Sequence, residues 1–368
     1  MTAVIMMNNI FARDMTEENL IIAKKSSIYL KKIISDCLKI KEDEKLVIIG
    51  DHGYENRRIS KIISAGYCIA AEELGIKDID VVLQEPKSRG DEAEEQVMSS
   101  LESLESGSVI ILAISNRLGK ISHIGKSFRS FVKDKGHRFA SMPSLGNIPT
   151  ENIDNILSTF DIDYNQVREN CSRIRNIIDK GKELHITNDK GTDLHMNIRG
   201  KKALSVDGKY DREGKGGNVP IGEVYTPCRG KFVEGRVVID LSSRIRESTQ
   251  IVKEPITLDI KKGAITSITG GTEARTLENT LEWAHKNSEF PWGVRRIGEL
   301  GIGLNPRAKI IGSMNIDEKV VGTAHIAIGS NHWFGGTIYS ITHLDQVFSN
   351  PTIKVDGELL DLGQAKFN

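Results

Sequence analysis

The chain has 368 residues, more than one hydrophobic core usually serves, so two domains are expected. Lys and Arg total 50 and Asp and Glu total 50, so no global field draws nucleic acid or an anionic membrane to it. A hydrophobic share of 39% suits ordinary globular folding, and no apolar run is long enough to span a bilayer.

The opening stretch, MTAVIMMNNIFARDM, carries an apolar patch. It lacks a basic leader and a small-residue cleavage site, so it does not read as a signal peptide. Cys37, Cys68, Cys171 and Cys228 show no CxxC spacing. That pattern fits reduced thiols in a cytoplasmic protein, not a disulfide frame or a thiolate zinc site.

The first half alternates strand and helix. Strands are expected at 45–50 (KLVIIG), 79–83, 108–114 (SVIILAI) and 138–141. Helical spacing covers 57–74, stopped by Gly75, and also 120–132 and 163–180, the last stopped by Gly181. This rhythm implies an α/β domain with a parallel sheet and helices on both faces. After the first strand, Gly50-Asp51-His52-Gly53-Tyr54 matches neither phosphate-loop pattern, so a polar turn is the better reading.

Beyond residue 181 the pattern changes. Residues 183–187 and 193–199 flank Asn188-Asp189-Lys190-Gly191-Thr192, a hairpin-like connection. Strands are expected at 232–241, 254–260 and 264–268, with one helix at 273–285. The division is therefore an α/β N-terminal domain, 1–181, and a β-rich α+β metal-binding catalytic domain, 182–368.

Candidate chemistry concentrates in the second half. In TAHIAI, a strand places Thr323, His325 and Ala327 on one face and Ala324, Ile326 and Ile328 on the other. His343 and Asp345 likewise share a face. Glu299 lies in RIGELGIGLNP, where three glycines in six residues indicate close backbone approach. A carboxylate in so apolar a run needs a partner, either a metal or Arg295/Arg296. Glu223, in NVPIGEVYTP, is presented from an irregular segment or a strand start, and a solvated surface carboxylate is the alternative. Taken alone, His325 reads as a core histidine. Carboxylates and imidazoles together suit zinc, cobalt or manganese, singly or as a bridged pair. His332, Trp333 and Tyr339 are candidate pocket residues, with packing or a surface loop as the alternative.

Four ordered motifs, NVPIGEVYTP, IGELGIGLNP, GTAHIAIGSN and HLDQVFSNPTIKVDGELLDLG, resemble the M29 family of metalloaminopeptidases, clearly over 183–363. The resemblance implies a homodimer and a two-metal site on Glu223, Glu299, His325, His343 and Asp345. It departs at His332, where the peptidases carry tyrosine, and in a shorter segment between His325 and His343. The wider superfamily is also similar to iron-dependent 2,5-dihydroxypyridine dioxygenases.

The leading expectation is a cytoplasmic metal-dependent aminopeptidase acting on small peptides, with two divalent ions activating a bridging water. Glu223, Glu299 or His332 would move a proton, and Tyr339 would serve an oxyanion. The second expectation is a mononuclear iron oxygenase with a His325, His343 and Asp345 triad, Trp333 and Phe334 stacking on a small aromatic ring. The third is a metal-stabilised dimer without catalysis. None involves nucleic acid or membrane.

Overall fold

The computed structural model describes residue 11 and residues 15–363. Most of the apolar opening stretch lies outside the described residues. The chain divides into two compact units, one of Met1–Asp161 with Gly208–Pro220 and one of Ile162–Asp207 with Ile221–Asn368.

The first unit is built around a parallel sheet. Helix α1 (Glu17–Lys32) opens at Thr16, whose hydroxyl accepts the Asn19 backbone N–H at 3.2 Å. Strand β1 (Lys45–Asp51) leads into α2 (Ile59–Glu73), then β2 (Asp78–Gln84) and α3 (Glu95–Glu102). Next come β3 (Val109–Ala113), α4 (Phe128–Asp134), β4 (Arg138–Met142) and α5 (Ile153–Leu157). The last strand of this sheet, β8 (Gly216–Asn218), arrives only after the chain has visited the second unit. The strand order is β2-β1-β3-β4-β8, and all neighbours run parallel. Of the strands expected from sequence, 79–83 is the edge strand β2 and the other three are the inner strands β1, β3 and β4. Every residue of β3 and β4 is buried, as a sheet covered on both faces requires.

Two local expectations resolve differently. The helix expected over 120–132 is reduced to α4. Lys120 is held in the loop by exchanging backbone hydrogen bonds with Asp91 and Ala93, and Ser127 caps the helix by accepting the Ser130 N–H. Asp51, expected in a polar turn, is instead the buried last residue of β1. Its carboxylate accepts the Ser115 N–H at 2.6 Å and the Gly53 N–H at 3.0 Å, tying the carboxyl ends of neighbouring strands together. Burial raises its pKa, and these hydrogen bonds oppose that shift.

The second unit contains α6 (Tyr164–Ile178) and two seven-stranded antiparallel sheets. One sheet runs β14 (Ala264–Thr269), β13 (Ile256–Lys261), β10 (Val233–Ile239), β6 (Asp193–Asn197), β5 (Glu183–Thr187), β18 (Thr352–Val355) and β19 (Glu358–Leu359). The other runs β12 (Thr249–Ile251), β11 (Ser242–Arg244), β17 (His343–Ser349), β16 (Thr323–Gly329), β15 (Ile297–Gly303), β9 (Glu223–Pro227) and β7 (Leu204–Val206). Helix α7 (Thr272–Asn287) is the one read from sequence, and the short α8 (Met314–Asp317) precedes β16. No described helix is long and apolar enough to cross a membrane.

Candidate metal centre

Four adjacent strands of the second sheet carry the candidate ligands. Glu223 opens β9, Glu299 lies on β15, His325 on β16, and His343 and Asp345 on β17. Register brings them to one face. Glu299 pairs with Ala327, and Ala327 with Asp345, so the two carboxylates flank a residue too small to fill the space between them. His325 lies opposite Gly301. A Cβ on Gly301 would sit 2.1 Å from both Cε1 and Nε2 of His325, so the bare glycine is the berth of the imidazole. Gly303 does similar work one step along, because a Cβ there would meet the Val320 carbonyl oxygen at 2.1 Å. A register shift between Ile297 and Glu299 marks a bulge that re-aims the acid.

The donor atoms converge. His325 Nε2 lies 3.4 Å from Glu223 Oε1 and 3.5 Å from Glu299 Oε1. His343 Nε2 lies 3.5 Å from Glu299 Oε2 and 3.2 Å from Asp345 Oδ1. Glu299 thus faces one histidine with each oxygen and belongs to both donor trios, Glu223–Glu299–His325 and Glu299–His343–Asp345. Metal bonds of about 2.0–2.2 Å at tetrahedral or octahedral angles place neighbouring donors roughly 3.0–3.4 Å apart. The observed spacings are close to that range and longer than good hydrogen bonds. His343 Nδ1 lies 2.7 Å from the Ser330 carbonyl oxygen, which makes Nδ1 the protonated nitrogen and turns Nε2 to the carboxylates. Asp345 Oδ1 is buried without a well-formed hydrogen bond. The residues present therefore fit a divalent ion.

The electrostatics show how tightly charge is packed. Burial alone would lower the pKa of both histidines. Glu223 and Glu299 instead hold His325 well above its usual value, and Asp345 with Glu299 raises His343 to about 10. Burial raises Glu299, whereas Asp345 falls to about 2 because His343 and His325 outweigh its burial.

Arg295 and Arg296, the alternative partners of Glu299, serve elsewhere. Arg295 pairs with Glu278, and Arg296 donates to the Lys262 carbonyl oxygen at 2.6 Å. The alternative of a solvated Glu223 also gives way, because its side chain is buried beside Lys319 Nζ at 3.4 Å. Sequence reasoning missed Lys319. It is fully buried, pairs also with Glu318, and is the first cause lowering the Glu223 pKa against burial.

An aromatic wall adjoins His343. The Trp333 ring centroid lies 5.0 Å from that of His343, and the Phe334 centroid 6.0 Å. Tyr225, in register with Gly301, meets Phe334 edge-on at 5.5 Å. His332 stacks on Tyr339 with centroids 4.4 Å apart, and its Nδ1 lies 2.8 Å from Ser330 Oγ. Trp333 and Tyr339 are exposed.

The fold, a parallel-sheet unit together with a unit of two antiparallel sheets, is one that solved structures share. The structure of 2,5-dihydroxypyridine dioxygenase from Pseudomonas putida KT2440 superposes with a TM-score of 0.68 at 19% identity, over 92% of this chain and 95% of that one. Wild-type AmpT from Thermus thermophilus superposes with a TM-score of 0.63 at 15% identity, over 94% and 97%. At those identities both show the fold alone. The family profile described as NicX, 2,5-dihydroxypyridine 5,6-dioxygenase, matches residues 149–364, and the chain belongs to that family. A curated 2,5-dihydroxypyridine 5,6-dioxygenase of Pseudomonas putida is 28% identical over 195 residues, 50% of this chain. That match spans 54% of the relative, about half its length.

These matches correct the expectation of a metalloaminopeptidase, and with it the hydrolase assignment. The AmpT likeness explains the M29 resemblance, since the two folds are shared. The family matched across the site is the dioxygenase one. Motifs that shape a metal-binding sheet identify the sheet, not the reaction run on it.

Proposed function

We propose that this protein is an iron-dependent ring-cleaving dioxygenase acting on a hydroxylated N-heteroaromatic of the 2,5-dihydroxypyridine type. The observation that carries this reading is the family match over 149–364, which contains all five candidate ligands. The facial triad expected from sequence, His325, His343 and Asp345, would supply two imidazoles and one carboxylate, with Glu299 linking them as the member common to the two convergent donor trios, Glu223–Glu299–His325 and Glu299–His343–Asp345. Glu299 stands between the two histidines as a further donor, and Glu223 is tied back to Lys319.

A ferrous ion held there supplies the redox chemistry that ring cleavage by dioxygen requires. The protein orients and protects. Asp345 and Glu299 fix the His343 ring from one side, and the Ser330 carbonyl fixes it from the other. Trp333 and Phe334 offer faces on which a planar substrate stacks beside His343. His332, aligned by Ser330 Oγ and Tyr339, holds or moves the proton of a ring hydroxyl. The burial of β15 and β16 keeps water from the ligand face.

The test is oxygen uptake by anaerobically iron-loaded protein given 2,5-dihydroxypyridine and related dihydroxylated rings. Stoichiometric oxygen consumption with loss of ring absorbance is expected, and it should disappear in His325→Ala. No uptake with any hydroxylated ring, by protein shown to hold iron, would sink the reading.

A further inference from the structure

The first sheet of the second unit carries another convergence of donor atoms. β5 and β6 form the hairpin that turns at 188–192, and His185 pairs directly with His195 across it. The opposite faces of these strands bury Leu184, Ile186, Leu194 and Met196, which fixes the register and sends both imidazoles to the polar side. Directly opposed residues on antiparallel strands have Cβ atoms about 4.5–5.5 Å apart, a spacing that lets two imidazoles share one ion. Here the rings stack with centroids 4.1 Å apart and planes 10° from parallel.

Asp193 precedes His195 by two residues and so shares its face. Its Oδ1 lies 2.8 Å from His185 Nε2 and 3.7 Å from His195 Nε2. One carboxylate oxygen therefore addresses both rings, and one donor atom from each of the three residues lies within 4.8 Å of the others. The neighbouring charges are of both signs, with Lys354 in register with His185 on the exposed face. Arg236, in register with Asp193, is engaged by Asp259 at 2.8 Å. Glu234, in register with His195, adds a second carboxylate to the same face.

We propose that His185, Asp193 and His195 form a surface site for a divalent transition-metal ion, lying on a different sheet from the metal centre. Two imidazoles and one carboxylate select zinc, copper or nickel over calcium or magnesium. Binding replaces the contact between His185 Nε2 and Asp193 Oδ1 with a metal bond to each atom, the neutral imidazole then carrying its one proton on Nδ1.

The experiment is calorimetric titration of chelator-treated full-length protein with zinc chloride, comparing the wild type with a His185→Gln/His195→Gln variant. His195 is exposed and His185 partly so, and circular dichroism checks that the variant is folded. The expected result is one equivalent fewer in the variant, with the centre's equivalents unchanged. Equal stoichiometry in both proteins would overturn the site. Asp193→Asn tests the carboxylate separately: at least a tenfold loss of affinity for that equivalent is expected, and undiminished binding would remove Asp193 as a ligand. Neither result depends on whether the centre cleaves rings.

Discussion

Lys319 Nζ lies 3.4 Å from Glu223 Oε2, and the lysine is fully buried. A fixed ammonium thus stands against one candidate ligand of the centre, with Glu318 on its other side. The pairing is a buried ion cluster, where losing one partner strands the others without water. Lys319→Met should therefore destabilise the metal-free protein by about 3–5 kcal/mol. Urea unfolding in the presence of chelator measures this, and a loss below about 1 kcal/mol would mean that the ammonium does not neutralise its neighbours.

Gly301→Ala tests the berth of His325. The added methyl collides with the imidazole at Nε2, the atom that faces the carboxylates. Displacement of an aligned ligand costs metal affinity roughly 10–100-fold. Ferrous-ion competition against a chromophoric chelator should show that loss. Unchanged affinity would mean that the ring can sit elsewhere.

Trp333→Ala should weaken substrate binding more than turnover, since the indole offers a stacking face and no reacting group. Aromatic pairs contribute about 0.5–1.5 kcal/mol beyond their buried area, so KM should rise roughly 2- to 12-fold with kcat little changed. Trp333→Phe should restore most of the difference. A fall in kcat with constant KM would assign the indole another role.

His137 sets a pH dependence away from the centre. It is buried beside Phe131, and burial pushes its pKa below the ordinary 6.5. The unfolded chain takes up this proton more readily than the folded one. Its stabilising contribution is full above about pH 6.5 and declines as pH falls below that. Relative to His137→Gln, the wild type should lose stability between pH 7.5 and about pH 5. Parallel urea midpoints for the two proteins across that window would contradict the assignment.

What was legible in the sequence follows from short-range rules. Period-two alternation put His325 on one strand face and paired His343 with Asp345, and the structure keeps both relations. The glycines around Glu299 signalled close approach, and Gly301 and Gly303 are where it occurs. Lys319 was not legible, because Asp317-Glu318-Lys319 reads locally as a charged turn. Its burial depends on β15 passing behind it, where the bare Gly303 lets the backbone of Lys319 and Val320 close in. The reaction was not legible for a similar reason: the motifs encode the strands and donors, and a fold of this kind does not by itself specify the reaction.

The position of β8 bears on how the chain comes off the ribosome. Gly216–Asn218 pairs with Phe139, Ala140 and Ser141 and completes the parallel sheet. Until then the outer edge of β4 offers unsatisfied backbone groups, a template for pairing with a neighbouring nascent chain. About 75 residues separate the two strands, which translates to roughly ten seconds of synthesis. During that interval β5, β6 and β7 have already emerged. A fragment stopped at residue 161 would carry that open edge permanently, so the amino-terminal sheet matures only with help from sequence that follows part of the second unit.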